Sequence, residues 1–262
     1  LFVEQIASSL RERPSDGEPH GSGLPFTVEA AIQSRLDDLS DDARVACRVA
    51  SIFGRPVQLA DLKALGVADP VQCIALLAER DLIETQIGGS RSGSVEYRFR
   101  SSLVAAVAYR AIPKEMRSTM HRRAAGHLAD QAVFDAEEVG VHLERAEANV
   151  AAALQFADAA LTAGARGDAV RALRCSARAL ALGVRDEVRF ALHMVRADTF
   201  RFLRNRSEQA SELQRALAAA RTHAERARAL TDQITLAGRS GDHAAARAVA
   251  ASAVAEADAS ED

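Results

Sequence analysis

Gly167-Asp-Ala-Val-Arg-Ala-Leu-Arg-Cys-Ser-Ala-Arg-Ala-Leu180 and Gly241-Asp-His-Ala-Ala-Ala-Arg-Ala-Val-Ala-Ala-Ser-Ala-Val254 are two copies of one unit. In each, a glycine able to adopt a left-handed turn precedes an aspartate suited to capping a helix, and an alanine-rich run with helical spacing follows. Between them a further copy opens at Asn205-Arg-Ser-Glu-Gln-Ala-Ser-Glu-Leu-Gln-Arg-Ala-Leu217. The turns begin at residues 167, 205 and 241, 38 and 36 apart, and each follows a helical stretch of similar length, about 150–163, 187–203 and 224–238. Small residues recur where neighbouring helices must approach, Ala172 and Ala179 in the first copy and Ala246 and Ala253 in the third. This is the signature of stacked helix–turn–helix repeats.

The period is close to the ~34 residues of tetratricopeptide repeats. The usual aromatic and proline positions hold Ala, Ser or Val, so the repeats are degenerate. About three helix pairs are expected, four if 134–147 counts as a half-repeat. Composition agrees with close helix packing. Alanine makes up about one residue in five, and aromatic residues only 4%, with no Trp. An all-β fold is excluded on that basis.

The N-terminal part reads differently. All six prolines lie between Pro14 and Pro113. A short helix over about 1–12 leads into a Pro/Gly/Ser loop, Pro14 to Gly23. Pro25 precedes a helix with Val28, Ile32, Leu36 and Leu39 at helical spacing, and Ser40-Asp41 caps a helix over 41–53 that places Val45, Val49 and Ile52 on one face. Helices over about 59–65 and 70–80 follow, the second opened by Asp69-Pro70. The period then switches to two: Ile83, Thr85 and Ile87, a glycine-rich turn over 88–93, then Val95, Tyr97 and Phe99. This predicts a β-hairpin. Short helices followed by a hairpin form a winged-helix layout, and helices over 102–112 and 114–131 complete it. The expected fold is therefore mostly α: a lid helix and winged-helix domain in residues 1–131, then a tetratricopeptide-like α-solenoid in 132–262.

Charge and motif content restrict function. Lys+Arg 33 against Asp+Glu 36 gives a net charge of -3, too balanced for recruitment to nucleic acid by bulk charge. Lys63 and Lys114 are the two lysines, leaving 31 arginines. A GC-rich coding bias explains that skew before a phosphate-binding surface does. Three widely spaced cysteines, Cys47, Cys73 and Cys175, suit a reducing compartment, and with no apolar run of membrane-spanning length the expected location is the cytoplasm. Neither lysine lies in a Gly-x4-Gly-Lys-Ser/Thr loop, so no Walker A site is expected. The scattered histidines, His121, His127, His142, His193, His223 and His243, lack zinc-ligand spacing. Gly89-Ser90-Arg91-Ser92-Gly93 is no nucleophile elbow, and the paired carboxylates Asp37/Asp38, Asp41/Asp42 and Glu137/Glu138 suit helix ends. Catalytic, cofactor and metal residues are accordingly expected to be absent. The helix at 70–80 is largely apolar and suits burial better than reading DNA bases, with Arg98 and Arg100 the nearest clustered cations. The chain starts inside an amphipathic pattern and ends without a closing element, as a segment of a longer polypeptide would.

Several stretches resemble a known family. Leu1-Phe-Val-Glu-Gln-Ile6, Leu24-Pro-Phe-Thr-Val-Glu-Ala-Ala-Ile-Gln-Ser-Arg-Leu-Asp-Asp-Leu39, Ala50-Ser-Ile-Phe-Gly-Arg55, Tyr97-Arg-Phe-Arg100, Leu103-Val104, Tyr109 and His121-Arg-Arg-Ala-Ala125 are similar to the C-terminal half of bacterial STAND-type AAA ATPases. These regulators are found fused to nucleotide cyclases, Ser/Thr kinases or LuxR-type activators. The resemblance implies an upstream P-loop domain of the same chain binding ATP and Mg, and repeats whose concave face receives a protein or effector. It also implies a phosphate-sensing histidine after the wing, where this chain has Ser101 next to Arg100, and Ala105-Ala106 stand where an Arg-Glu pair is common. The implied function is a non-catalytic regulatory and interaction segment in signal transduction. The alternatives are a DNA-binding activator of the LuxR type and a stand-alone tetratricopeptide scaffold.

Overall fold

The structure is a computed structural model that describes residues 26–87 and 95–260. The expected helix at 1–12, the loop at 14–23 and the glycine-rich turn at 88–93 lie outside the described residues. These residues form thirteen helices and one two-stranded antiparallel sheet. The chain divides into two compact units, one ending at Ala124 and the other starting at Ala125.

In the first unit, α1 (Phe26–Asp37) and α2 (Asp41–Phe53) are separated by Ser40, whose hydroxyl accepts from the Ala43 N–H at 3.4 Å. Gly54, at φ 67°, closes α2 in the left-handed conformation that favours glycine. The helices α3 (Leu59–Ala64) and α4 (Pro70–Glu79) follow; Pro70 fills the first helical position and the Asp69 carboxylate accepts from the Gln72 N–H at 2.9 Å. Strands β1 (Ile83–Ile87) and β2 (Val95–Phe99) pair with Ile83 opposite Phe99 and Ile87 opposite Val95. Val57 and Tyr97 exchange two backbone hydrogen bonds of 2.8 Å, which pins the start of α3 to β2. Then come α5 (Ser102–Arg110) and the first part of α6 (Lys114–Ala129).

The core of this unit is built on Ile32, Leu36, Ile52, Leu62, Leu77, Leu82, Val104 and Ile112, all buried. One expected face of α2 is corrected. Val45 is 43% exposed, whereas Ala43, Ala46, Cys47, Ala50 and Phe53 are buried beside Val49 and Ile52. Because α2 packs against α3, α4 and α5, it buries a broad face of small residues, and Val45 falls outside it.

The second unit carries α7 (Ala136–Arg145), α8 (Asn149–Ala165), α9 (Ala169–Ala181), α10 (Asp186–Phe202), α11 (Arg206–Ala219), α12 (His223–Arg239) and α13 (His243–Asp258). Each helix packs on the next, and α8 also packs on α10. The residues with positive φ at the intra-pair turns are Gly167, Arg204 and Gly241, so the repeat is an even 37 residues. Asp168, Asn205 and Asp242 are the matching caps, each accepting from the backbone N–H three residues on. Asn205 therefore matches Asp168, not Gly167, and Arg204 occupies the glycine place.

Alanine sets the spacing between these helices. Seven of the eleven residues in the core around α7 to α10 are alanines, and Phe156 is the large side chain among them. Phe156 fits over Gly140, where a Cβ atom would stand 3.1 Å from the ring. A Cβ on Gly164 would stand 2.8 Å from Val195 Cγ1, so α8 and α10 approach too closely for any side chain there. Gly164→Ala should therefore lower stability by about 1–3 kcal/mol through overpacking. Urea denaturation of Gly164→Ala with and without Val195→Ala checks this, since the double variant should recover most of the loss and an undiminished loss contradicts the packing.

Candidate functional site

The position expected to sense phosphate lies at the end of the hairpin. Ser101 is the N-cap of α5, its Oγ accepting from the Leu103 N–H at 3.2 Å. The Arg100 guanidinium is held by Asp81 and by Glu84, the latter at 3.5 Å, and Arg98 donates to Glu84 at 2.6 Å. The hydroxyl is thus engaged in ending a strand and starting a helix, and both cations are neutralised by carboxylates from the turn after α4 and from β1. These residues do not fit a phosphate sensor.

Two other motif residues come together. Tyr109 Oη and His121 Nε2 are 2.9 Å apart, bridging α5 and α6, with His121 fully buried and the Arg117 guanidinium 5.2 Å from the Tyr109 ring centre. The expected burial of α4 holds on one face only. Cys73, Ile74 and Leu77 are buried, while Val71, Gln72, Ala75 and Leu76 are exposed. That outer face offers one amide and no cation between its ends, so it lacks the groups that read base edges.

In the second unit six of the arginines are stitches between elements. Arg171 pairs with Asp135 and Glu137, Arg174 makes a two-pronged contact with Glu137 at 2.9 Å, and Arg178 pairs with Glu144, all joining α9 to α7. Arg178 also lies 4.5 Å from the Phe156 ring centre. Arg221 reaches Glu187 at 2.6 Å, and Arg226 and His223 reach Glu256 at 3.1 and 2.7 Å. The arginine-rich composition thus has a structural use that spacing alone did not reveal.

The densest cluster was invisible to motif reading. Glu212 on α11 is 1% exposed and accepts from His193 Nδ1 at 2.7 Å, Arg196 Nε at 2.9 Å and Arg215 Nη1 at 2.7 Å. Arg196 reaches on to Ser176 Oγ at 3.2 Å, so α9, α10 and α11 meet at this carboxylate. Shifted by one 37-residue repeat, Glu212 falls on Cys175 and Val249, and His193 on Phe156 and Leu230. A charged pair in places that are apolar in the other copies was the available signal, and it emerges only in the correct register. Burial pushes the Glu212 carboxyl up, but the hydrogen bonds from His193 and Arg196 and the Arg196 charge outweigh it and bring the pKa down to about 2.

Beside this cluster, but not touching it, the unit has an apolar cleft of about 410 Å³. Leu161 and Gly164 of α8 form one wall, Val195, Thr199 and Phe202 of α10 the other. Phe202 is 76% exposed, and neighbouring Leu203 and Val170 are also open to solvent. Among the described residues no three His, Cys, Asp or Glu side chains are grouped to hold a metal ion, and no helix is long and apolar enough to cross a membrane. The three cysteines are free and buried, with the Cys47 thiol pushed up to about 12 and Cys175 to about 11, in both mainly by burial. Comparison of the chain with family models, with curated proteins and with solved structures finds no match.

The lowered Glu212 pKa has a definite pH consequence. A folded-state value below the ordinary 4.5 means that this stabilisation is fully present above about pH 5 and is lost as pH falls towards 2. Urea midpoints measured between pH 6 and pH 2.5 should fall for the wild type and change less for Glu212→Gln. Parallel curves would show that Glu212 is not the group responsible.

Proposed function

We propose that this chain is the non-catalytic regulatory and protein-interaction segment of a multidomain, ATP-dependent signal-transduction protein in the cytoplasm. In this reading, residues up to about 131 are a lid and winged helix that dock on an upstream P-loop ATPase domain of the same polypeptide. Residues 132–262 are a tetratricopeptide-like array whose concave face takes a protein or effector. ATP and Mg belong to the upstream domain, and this segment holds no cofactor of its own.

The observation that carries the proposal is the even recurrence of the left-handed turn at 167, 204 and 241, followed each time by a capped helix. Repeats of this kind stack into extended surfaces used for binding. The apolar cleft with the open Phe202 ring is a contact surface at the turn edge of such an array. The motifs within residues 1–131 that resemble STAND-type ATPases support the link to an ATPase. A DNA-reading role fits less well, because the outer face of α4 is apolar and the hairpin arginines are paired.

The decisive test is the reading frame immediately upstream of the Leu1 codon. It should encode Gly-x4-Gly-Lys-Ser/Thr, and a frame without one overturns the proposal. The purified 262-residue chain should hydrolyse no ATP; measurable turnover, or salt-dependent nanomolar binding to duplex DNA, contradicts the reading in favour of an enzyme or an activator.

A further inference from the structure

A second cleft in the second unit shares Arg201 with the apolar one but is lined mainly by arginines. It has a cavity volume of about 450 Å³ and is bounded by Arg201, Arg204, Arg206, Gln209, Leu236 and Arg239. The four arginines come from three places in the chain: the end of α10 and its turn, the first residue of α11, and the last residue of α12. They converge between two successive turns of the array. Arg201 is paired with Asp198 at 2.8 Å. Arg204, Arg206 and Arg239 are exposed and have no ion pair among the described residues, so the cleft gathers three unmatched guanidinium groups in one place.

Three unmatched guanidinium groups around one cavity concentrate positive charge there, though as exposed groups they are screened by solvent. Arg204 adds a cost. It occupies the left-handed turn position at φ 57°, where the other two repeats have Gly167 and Gly241. A side chain there is held against its backbone preference. The arrangement is explained if an anion normally lies among these groups. Guanidinium forks match phosphoryl oxygens two at a time, and the amino end of α11 adds the positive end of a helix dipole. Gln209, 6% exposed, supplies a neutral amide at the wall, and Leu236 supplies an apolar surface.

We propose that this cleft binds an oligophosphate of two or three phosphoryl groups, carried by a nucleotide or by inorganic polyphosphate. The volume suits a small molecule and not a folded partner. The site lies wholly within the repeat unit, so it stands whether or not an ATPase domain precedes the chain.

The test is titration calorimetry of the full 262-residue chain with inorganic tripolyphosphate and, separately, with ATP. Binding should be seen with tripolyphosphate, and Arg204→Gly and Arg239→Ala should each weaken it about tenfold. Arg247→Ala, which removes the same charge from exposed α13, should leave it within about twofold. Arg204→Gly should also raise the unfolding midpoint, because glycine accepts the turn without strain, which separates lost binding from lost folding. Tighter binding of ATP than of tripolyphosphate identifies a nucleotide whose base uses the Leu236 surface; equal binding identifies the phosphate chain alone. Absence of binding at millimolar tripolyphosphate, an equal loss in Arg247→Ala, or tighter binding of an acidic peptide overturns the proposal.

Discussion

The second unit turns on one buried carboxylate. Glu212 is removed from water at the point where α9, α10 and α11 meet, and three cationic or protonatable side chains close on it. Burying a charge is unfavourable unless it is paired and fully hydrogen-bonded, and removing one partner of such a group typically costs about 3–5 kcal/mol. The middle repeat accepts that demand where its neighbours use apolar residues. The consequence is geometric. An apolar contact tolerates sliding between helices, whereas a carboxylate shared by His193, Arg196 and Arg215, with Arg196 also bonded to Ser176, admits one register.

The alanine contacts among α7, α8 and α9 provide closeness without specificity. Gly140 accepts the Phe156 ring and Gly164 accepts Val195, so two large side chains each have one place to go. Arginine stitches to Asp135, Glu137, Glu144, Glu187 and Glu256 then tie the outer surfaces of the same helices together. Exposed pairs of this sort are individually weak. Their number matters because they join successive elements of the same unit, which also carries two clefts different in kind, the apolar one at Phe202 and the cationic one at Arg204. Both are lined in part by residues of the intra-pair turns, Gly167 in one and Arg204 in the other.

Much of this was legible in the sequence for local reasons. Ser40, Asp69, Asp168 and Asp242 announce helix starts because a short polar side chain can satisfy a first-turn N–H, and the alternation around residues 83–99 marks the two strands of the hairpin. The middle repeat turn is misaligned by one residue in that reading, because an arginine, not a glycine, takes the left-handed place at 204. That shift hid the rest. In the wrong register Glu212 and His193 are unremarkable polar residues on amphipathic helices, while in the right one they replace Cys175 and Phe156. The outer face of α4 and the pairing of Tyr109 with His121 depend on which helices meet, which no local pattern encodes.

Hydrogen exchange on the wild type and on Glu212→Gln tests most directly whether this carboxylate holds three helices together. Protection should fall in α9, α10 and α11 alike, with the segment around Leu173 to Ser176 as affected as the turn around Glu212 itself. A loss confined to α11, with α9 and α10 as protected as in the wild type, would contradict the account.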